Sequence, residues 1–243
     1  MCMSNPNSKN EAEGNVDRII EQKFFPKSDA NHVFVEVGAA RPDYLSMSAL
    51  YRSIGWRIIA IEPNPEFCAL HRAKGYDVLQ YACGDTDKDN VDFFVVNSHG
   101  TQYINGEVSY ESFSSLGIKN SYAALKSDLD MKKIQVNMRR LDTILKTHAP
   151  DIQRIDILSV DVEGWELEVL DGLDMKAIYR PRIMIIENIF NEKKYRTYMK
   201  NIDYILWKRV APNDIYVIND LFSNALHRYF MSIKGLFSAW RNK

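Results

Sequence analysis

The sequence predicts one α/β domain built on a mostly parallel sheet, and two observations support this. Short apolar runs suited to buried strands alternate with segments of helical periodicity. This alternation indicates βαβ units, whose strands are parallel. The length of 243 residues, with 46% hydrophobic and 26% charged residues, suits one globular domain with tails.

The first half of the domain is predicted as a helix followed by three buried strands, with a further helix after each of the first two strands. Gly38 and Gly55 stand where a strand or helix should end, as turn and cap residues. The predicted helices are 16–25, 44–54 and 65–74, and the predicted strands are 32–37, 56–61 and 77–83.

The second half departs from this rhythm. Residues 91–96 are a predicted strand reached by a short polar turn, which favours an antiparallel hairpin with the strand before it. Residues 97–130 show little periodicity and are expected to be a lid or binding loop. The remaining predicted strands are 134–138, 155–160 and 181–186 with a closing antiparallel hairpin at 204–209 and 215–218, and the helices are 141–148, 165–173 and 192–202.

Two polar or amphipathic tails flank the predicted domain at 16–220. Residues 1–15 have almost no apolar content and are expected to be disordered. In residues 221–243 the apolar side chains fall on one side of a helical wheel, and there is no acidic residue. A cationic amphipathic helix is typical of membrane-surface binding, but it also suits docking on its own domain or on a second copy.

Several classes of protein are disfavoured by composition. The formal net charge of −1 gives no basic excess for nucleic-acid binding. Three cysteines form no CxxC pair, so neither a zinc site nor a disulfide framework is expected. No apolar run reaches the length of a membrane span, and the first residues lack the apolar core of a signal peptide, so a cytoplasmic location is expected.

Three strand ends carry residues suited to a nucleoside-containing cofactor. Glu36, Gly38 and Ala39 form the first turn, where a glycine lets a ligand approach the backbone. Glu62-Pro63 ends the second strand, and a carboxylate there can grip two ribose hydroxyls. Cys83-Gly84 ends the third strand and can form an apolar wall for a purine. Together, in this order at one sheet edge, they favour such a cofactor.

A pair of carboxylates follows the strand at 155–160. Asp161 and Glu163 should lie at the carboxyl edge of the sheet, where open α/β sheets bind ligands. Glu166 falls inside the apolar arc of the next helix. We therefore expect Glu166 to brace the first turn of that helix, and Asp161 to contact cofactor or substrate.

These stretches resemble the FkbM family of S-adenosylmethionine-dependent methyltransferases. The resemblance covers about residues 32–190 and is carried by Glu36-Val-Gly-Ala39, Glu62-Pro63-Asn64, Ala82-Cys-Gly-Asp85, Leu141-Asp142-Thr-Ile-Leu145 and above all Asp161-Val-Glu-Gly-Trp-Glu166. It implies a Rossmann-like class I methyltransferase fold, with a seven-stranded sheet whose last pair is antiparallel. It also implies that Glu36 and Gly38 hold the methionine part, Glu62 the ribose and Cys83 and Gly84 the adenine, with Asp161 at the reacting end.

One loop departs from the pattern of the family, which usually has a second glycine soon after the first. Here Arg41-Pro42-Asp43 follows Gly38-Ala-Ala, and proline lacks the N–H and fixes φ. Either Arg41 supplies a new contact to the cofactor carboxylate, or cofactor binding is weakened. We expect the first.

Methyl transfer to a hydroxyl requires alignment and, for an unactivated alcohol, a base. The candidate bases are Asp161, Glu163 and His99. Mg²⁺ held by Asp161 and Glu187 is an alternative, because hard cations prefer oxygen ligands, but no metal is expected.

The function expected from the sequence is methyl transfer from S-adenosylmethionine to a hydroxyl on a sugar, glycan or secondary metabolite. A nicotinamide- or nucleotide-sugar-dependent Rossmann enzyme is the alternative, disfavoured by the missing GxGxxG and the closing hairpin. A non-catalytic scaffold with a degenerate cofactor site is a third hypothesis, because of the unusual Arg41-Pro42 loop.

Overall fold

The structure is a computed structural model that describes residues 12–26, 31–96, 114–117, 131–175 and 179–219. It is mixed α/β, as the sequence predicts. The helices are α1 (Val16–Phe24), α2 (Ala49–Ser53), α3 (Pro65–Ala73), α4 (Leu141–His148), α5 (Glu166–Asp171) and α6 (Lys193–Asn201), with a short 3-10 helix at Glu13–Asn15. The strands are β1 (Val33–Val37), β2 (Arg57–Ile61), β3 (Ala82–Gly84), β4 (Lys88–Val96), β5 (Met131–Arg140), β6 (Ile157–Val160), β7 (Ile183–Glu187), β8 (Tyr204–Val210) and β9 (Asn213–Ile218).

The main sheet has six strands in the order β2-β1-β6-β7-β9-β8. Its first four strands are parallel, whereas β9 runs antiparallel to both β7 and β8. In the register, Val37 lies opposite both Ile61 and Val160, so β1, β2 and β6 end level with one another. The loops that follow these strands therefore leave the sheet at one edge.

Both faces of the main sheet are covered, which explains why its parallel strands are mostly apolar. Alternate residues of β1 point to opposite faces: Val35 belongs to one core cluster and Phe34 to the other. Apolar residues of α4, α5 and α6 complete the first cluster. The second is completed by residues of α1 and α2, with Trp56 packed among them.

The prediction of a seven-stranded sheet is wrong, because β3 belongs to a separate three-stranded sheet in the order β3-β5-β4. The predicted hairpin between the third strand and residues 91–96 is also wrong. The ten-residue strand β5 lies between them, parallel to β3 and antiparallel to β4. Only an isolated bridge, from Ile61 to Leu79, connects the predicted third strand to β2.

A close contact between two glycines ties the small sheet to the main domain. A Cβ atom on Gly172 would lie 2.1 Å from the carbonyl oxygen of Gly84, so only glycine fits there. Arg140 reinforces this junction by donating to the carbonyl oxygens of Asp85 and Asp171 at 2.9 and 3.3 Å. The last residue of β5 thereby holds the ends of β3 and α5 together.

The predicted helix at 44–54 is shortened to α2 at its C-terminal part. Leu45 has a φ of 50°, which is outside right-handed helical geometry, so the helix cannot include this residue. The residues before α2 instead form a loop that packs against the end of β1. None of the helices within the described residues is long and apolar enough to cross a membrane. The predicted C-terminal helix at 221–243 lies outside the described residues.

A buried carboxylate lies at the edge of the main sheet where the parallel strands begin, opposite the edge at which they end. Asp156 is fully buried, accepts the N–H of Val33 at 3.0 Å, and contacts His32, Arg154 and Arg182 at 3.1 to 3.2 Å. Burial alone would raise the pKa of this carboxyl, but the Val33 N–H, His32 and Arg154 together lower it. Asp156 is therefore ionised at neutral pH and fixes the start of β1 beside β6.

We expect Asp156→Asn to lower the free energy of unfolding at pH 7 by about 2 kcal/mol, because it removes the charge that these buried donors face. Since the native pKa is depressed, this stabilisation is complete above the ordinary value of 3.8 and is lost as the pH falls through the native pKa. Urea unfolding followed by circular dichroism at pH 7 and at acidic pH measures both effects.

Asp151→Asn is the matched control, because Asp151 pairs with Arg57 in an exposed bridge at the same edge. Its expected loss is much smaller than that of Asp156→Asn, because water and salt screen an exposed ion pair. Equal losses for the two variants would contradict the role assigned to Asp156.

Candidate active site

The carboxyl ends of β1, β2, β3 and β6 surround a cavity of about 590 Å³, counting its open mouth. This is the edge at which open α/β sheets bind ligands. Residues of the small sheet and of the 114–117 segment form its far wall. The cavity is lined by Gly38, Ala40, Glu62, Pro63, Phe67, Tyr81, Ala82, Cys83, Phe93, Ser114, Ser115, Leu116, Asp161, Val162 and Trp165, together with Val37 at the end of β1.

Gly38 directly follows β1 and contacts the ends of β2 and β6. Its φ is +80°, and a Cβ atom would lie 1.8 Å from the carbonyl oxygen of Asp161. Its N–H donates to Ile61 at 3.0 Å, and the N–H of Asp161 donates to Val37 at 3.0 Å. The backbone therefore continues the β1–β2 and β1–β6 contacts one residue past the strands, and glycine is required there.

Glu62 presents a buried carboxylate at the cavity wall. One carboxylate oxygen accepts the Asn64 N–H at 2.7 Å, and the other accepts the Ala40 N–H at 2.8 Å. Burial raises the pKa of Glu62 to about 7, although both N–H groups oppose the rise. The nearby Glu36 contributes to the increase. The Glu62 side chain is therefore fixed in orientation and titrates near neutrality.

Glu36 is turned away from the cavity and holds the loop before α2. The hydroxyl of Ser48 donates to Glu36 at 2.5 Å, and the Ser48 N–H donates at 3.3 Å. Burial raises the pKa of Glu36, while the Ser48 bonds and Arg52 oppose the rise. In this arrangement Glu36 positions the first loop, and its predicted contact with a methionine group stays a prediction.

Asp161 lies at the end of β6 and lines the cavity. Burial raises its pKa to about 7, and the charges of Glu166 and Glu13 add to the rise, while a hydrogen bond with Glu187 opposes it. Asp161, Glu163 and Glu187 each offer a carboxylate oxygen, and these oxygens lie within 4.8 Å of one another. By ligand type, the three could hold a hard divalent cation or face an organic cation.

Glu166 braces the loop after β6. One of its oxygens accepts the N–H groups of Val162 and Gly164 at 3.2 and 2.9 Å. The other accepts the hydroxyl of Tyr195 at 2.6 Å. The side chain is completely buried, which fits the bracing role that its position in the helical arc predicts.

Trp165 is a cavity residue that sequence reasoning missed, whereas Ser114, Ser115 and Leu116 line the cavity from within the predicted lid or binding loop at 97–130. The indole N–H of Trp165 donates to the carbonyl of Gly117 at 3.0 Å. Ser115 pairs with Phe94 of β4 through backbone bonds of 2.9 and 3.0 Å. Trp165 falls in the apolar arc of its helix, and that pattern predicted a core residue. No sequence signal brings residue 117 to this edge.

The other predicted site residues differ in whether they line the cavity. Pro63 and Cys83 line the cavity, and their contact with a cofactor stays a prediction. Glu163 is buried beside Asp161, and Ala39 is buried behind the cavity surface. Arg41 pairs with Asp43 at 3.4 Å and is not among the lining residues. Gly84 is packed against the sulfur of Met138. His99 lies outside the described residues.

A matched pair of tyrosines on α6 tests the bracing role of Glu166. Tyr195 donates to the buried Glu166, and Tyr198 donates to the exposed Asp171, both at 2.6 Å. We expect Tyr195→Phe to lower the free energy of unfolding by about 2 kcal/mol, because a buried carboxylate loses a donor. Tyr198→Phe should cost below about 1 kcal/mol, because water replaces its bond.

Urea unfolding of both variants, monitored by far-ultraviolet circular dichroism, gives the two values. A loss for Tyr198→Phe as large as that for Tyr195→Phe would mean that helix packing alone is being measured, and would contradict the brace.

Curated relatives match parts of this chain. A protein of Sordaria araneosa described as methyltransferase sdnD is 41% identical over 61 residues, which cover 23% of this chain and 24% of that protein. Methyltransferase 1 of Beauveria bassiana (strain ARSEF 2860) is 29% identical over 124 residues, covering 48% of this chain and 49% of the relative. The chain therefore spans at most about half the length of these relatives.

A crystal structure of methyltransferase FkbM from Methylobacillus flagellatus KT overlaps 85% of this chain and 48% of its own, with a TM-score of 0.49 and 14% identity. The profile of the methyltransferase FkbM domain matches residues 36–217, which include all of the strand ends around the cavity. The chain belongs to the FkbM methyltransferase domain family.

Proposed function

We propose that the chain transfers a methyl group from S-adenosylmethionine to a hydroxyl on a sugar, a glycan or a secondary metabolite. Its membership in a methyltransferase family supports the reaction class. The observation that carries the cofactor proposal is Glu62, a buried carboxylate fixed at the cavity wall by two N–H donors. A carboxylate in that position can accept both hydroxyls of a ribose.

The lining residues fit the other parts of this cofactor. The aromatic and apolar side chains of Phe67, Tyr81 and Cys83 provide a wall against which an adenine can pack. Asp161 supplies negative charge near the position where a sulfonium or ammonium group would bind. When bound, the cofactor supplies the methyl group, and the residues of the chain align it and exclude water.

Asp161 is the residue we propose as the base. Asp161 lines the cavity and its pKa is raised to about 7, so its carboxylate can accept a proton near neutral pH. The acceptor hydroxyl would give its proton to an Asp161 oxygen while its own oxygen bonds to the methyl carbon. The bond from that carbon to the cofactor sulfur would break, and S-adenosylhomocysteine would leave. Glu187 would support this role through its hydrogen bond to Asp161.

We expect Glu62→Gln to weaken binding of S-adenosylhomocysteine at least tenfold at pH 8, because an amide accepts through one oxygen only. Wild-type affinity should rise about tenfold from pH 6 to pH 8. Glu62 has a raised pKa of about 7, and its ionised form, which predominates above that pH, accepts both hydroxyls. Titration calorimetry at each pH measures both effects.

Glu66→Gln is the matched control, since Glu66 is an exposed neighbour on α3 and should bind as the wild type does. A pH dependence that survives unchanged in Glu62→Gln would show that another group titrates. Wild-type protein that fails to bind S-adenosylhomocysteine at high micromolar concentration would overturn the proposed cofactor.

The predicted C-terminal helix adds a second proposal, that the chain binds an anionic membrane surface through residues 221–243. It rests on the sequence pattern of apolar residues opposite basic ones. We expect the full chain to pellet with vesicles of anionic lipid, and expect Phe230→Ser with Trp240→Ser to abolish pelleting. Equal pelleting of both proteins would contradict the proposal, and a concentration-dependent dimer without pelleting would favour docking on a second copy.

A further inference from the structure

His71 is a buried imidazole that lies behind the cavity and is not part of its lining. It stands in the last turn of α3 with 1% of its surface exposed. Its Nε2 atom lies 3.1 Å from the carbonyl oxygen of Ala40. The backbone of His71 is itself fixed, because its carbonyl accepts the N–H groups of Lys74 and Tyr76, both at 3.0 Å.

The residue that His71 contacts has an unfavourable backbone conformation. Ala40 has a φ of 42°, in the left-handed region that glycine adopts freely and alanine adopts only with steric strain. A neighbouring interaction must therefore hold it there. Ala40 is also a lining residue of the cavity, so its conformation shapes the cofactor site directly.

Two side chains hold Ala40 from opposite ends of the residue. Its N–H donates to Glu62 at 2.8 Å, and its carbonyl faces His71 at 3.1 Å. A carbonyl can only accept, so Nε2 must carry the proton in this contact. The φ angle of Ala40 relates its N–H to its carbonyl. If φ relaxes after the His71 contact is lost, the direction of the N–H that orients Glu62 changes relative to that carbonyl.

The charges around His71 keep its ring neutral. Burial lowers its pKa below the ordinary value of 6.5, and Arg52 lowers it further. The carbonyls of Ala40 and Ala39 and the carboxylate of Asp43 oppose this without reversing it. At neutral pH the ring therefore has one N–H, as the contact with Ala40 requires.

We propose that His71 is a positioning residue that holds Ala40 in its left-handed conformation and thereby keeps Glu62 aimed at the cofactor ribose. The inference rests on the proposed function, because it assigns Glu62 to a ribose. It also explains how this chain tolerates alanine in a turn where glycine would be the unstrained choice. A leucine at position 71 would fill similar space without the hydrogen bond.

The test is the affinity of full-length variants for S-adenosylhomocysteine, measured by calorimetry. We expect His71→Leu to bind about tenfold more weakly than wild type. His71→Gln should stay within about threefold, because its amide nitrogen can reach the same carbonyl. The single variant Ala40→Gly gives the reference affinity against which the double variant is compared. The double variant His71→Leu, Ala40→Gly should recover most of the lost affinity, because glycine keeps the turn without strain.

Recovery in the double variant separates positioning from packing, since a glycine at position 40 cannot restore core volume lost at position 71. Wild-type affinity in His71→Leu would overturn the inference, as would a double variant as weak as His71→Leu with an unchanged melting temperature. If His71→Leu does not fold, His71→Gln and His71→Asn decide: the shorter Asn should bind weakly, and equal affinities overturn the proposal. If wild-type protein does not bind, the proposed cofactor fails, and this inference fails with it.

Discussion

The site depends on the contact between the backbones of β1 and β6 one residue beyond their last pair. Gly38 and Asp161 approach so closely there that a Cβ atom has no room, and the φ of +80° is open only to glycine in practice. This contact sets the distance between the first loop and the loop after β6. Because β2 ends level with them, Glu62 faces the same cavity as Asp161. The placement of the functional groups thus follows from strand register.

Buried carboxyl groups behave differently at the two edges of the sheet. At the edge where the parallel strands begin, Asp156 is surrounded by His32 and arginines, and its pKa is lowered. At the opposite edge, Glu62 and Glu166 accept bonds from N–H and hydroxyl groups, and their pKa values are raised. In the first arrangement, the carboxylate of Asp156 is already paired with cationic groups of the chain. The second leaves acidic side chains around a cavity, which suits a cationic ligand that would restore their ionised forms.

The sequence predicted the α/β class and most elements to within a few residues, because apolar periodicity reports burial directly. It also placed Gly38, Glu62, Pro63, Cys83 and Asp161 at one edge, since parallel strands end together. The sequence did not predict the small sheet, because β5 pairs with residues 35 to 56 positions before it and no local pattern encodes that choice. The sequence likewise could not show that Glu36 faces Ser48, nor that His71 lies behind Ala40, because side-chain orientation depends on tertiary packing.

The small sheet has a consequence for how this domain could change. Val96 at the end of β4 lies opposite Met131 at the start of β5, so the two ends of the intervening chain are held side by side. A chain anchored in this way can lengthen or shorten at little thermodynamic cost. Val96 and Met131 belong to the small sheet and not to the main sheet. The loop after β6 contacts the intervening chain through the hydrogen bond from Trp165 to Gly117. Under the proposed function, new acceptor preferences could arise by insertion or exchange in the intervening chain, while the residues proposed to hold the methyl donor stay unchanged.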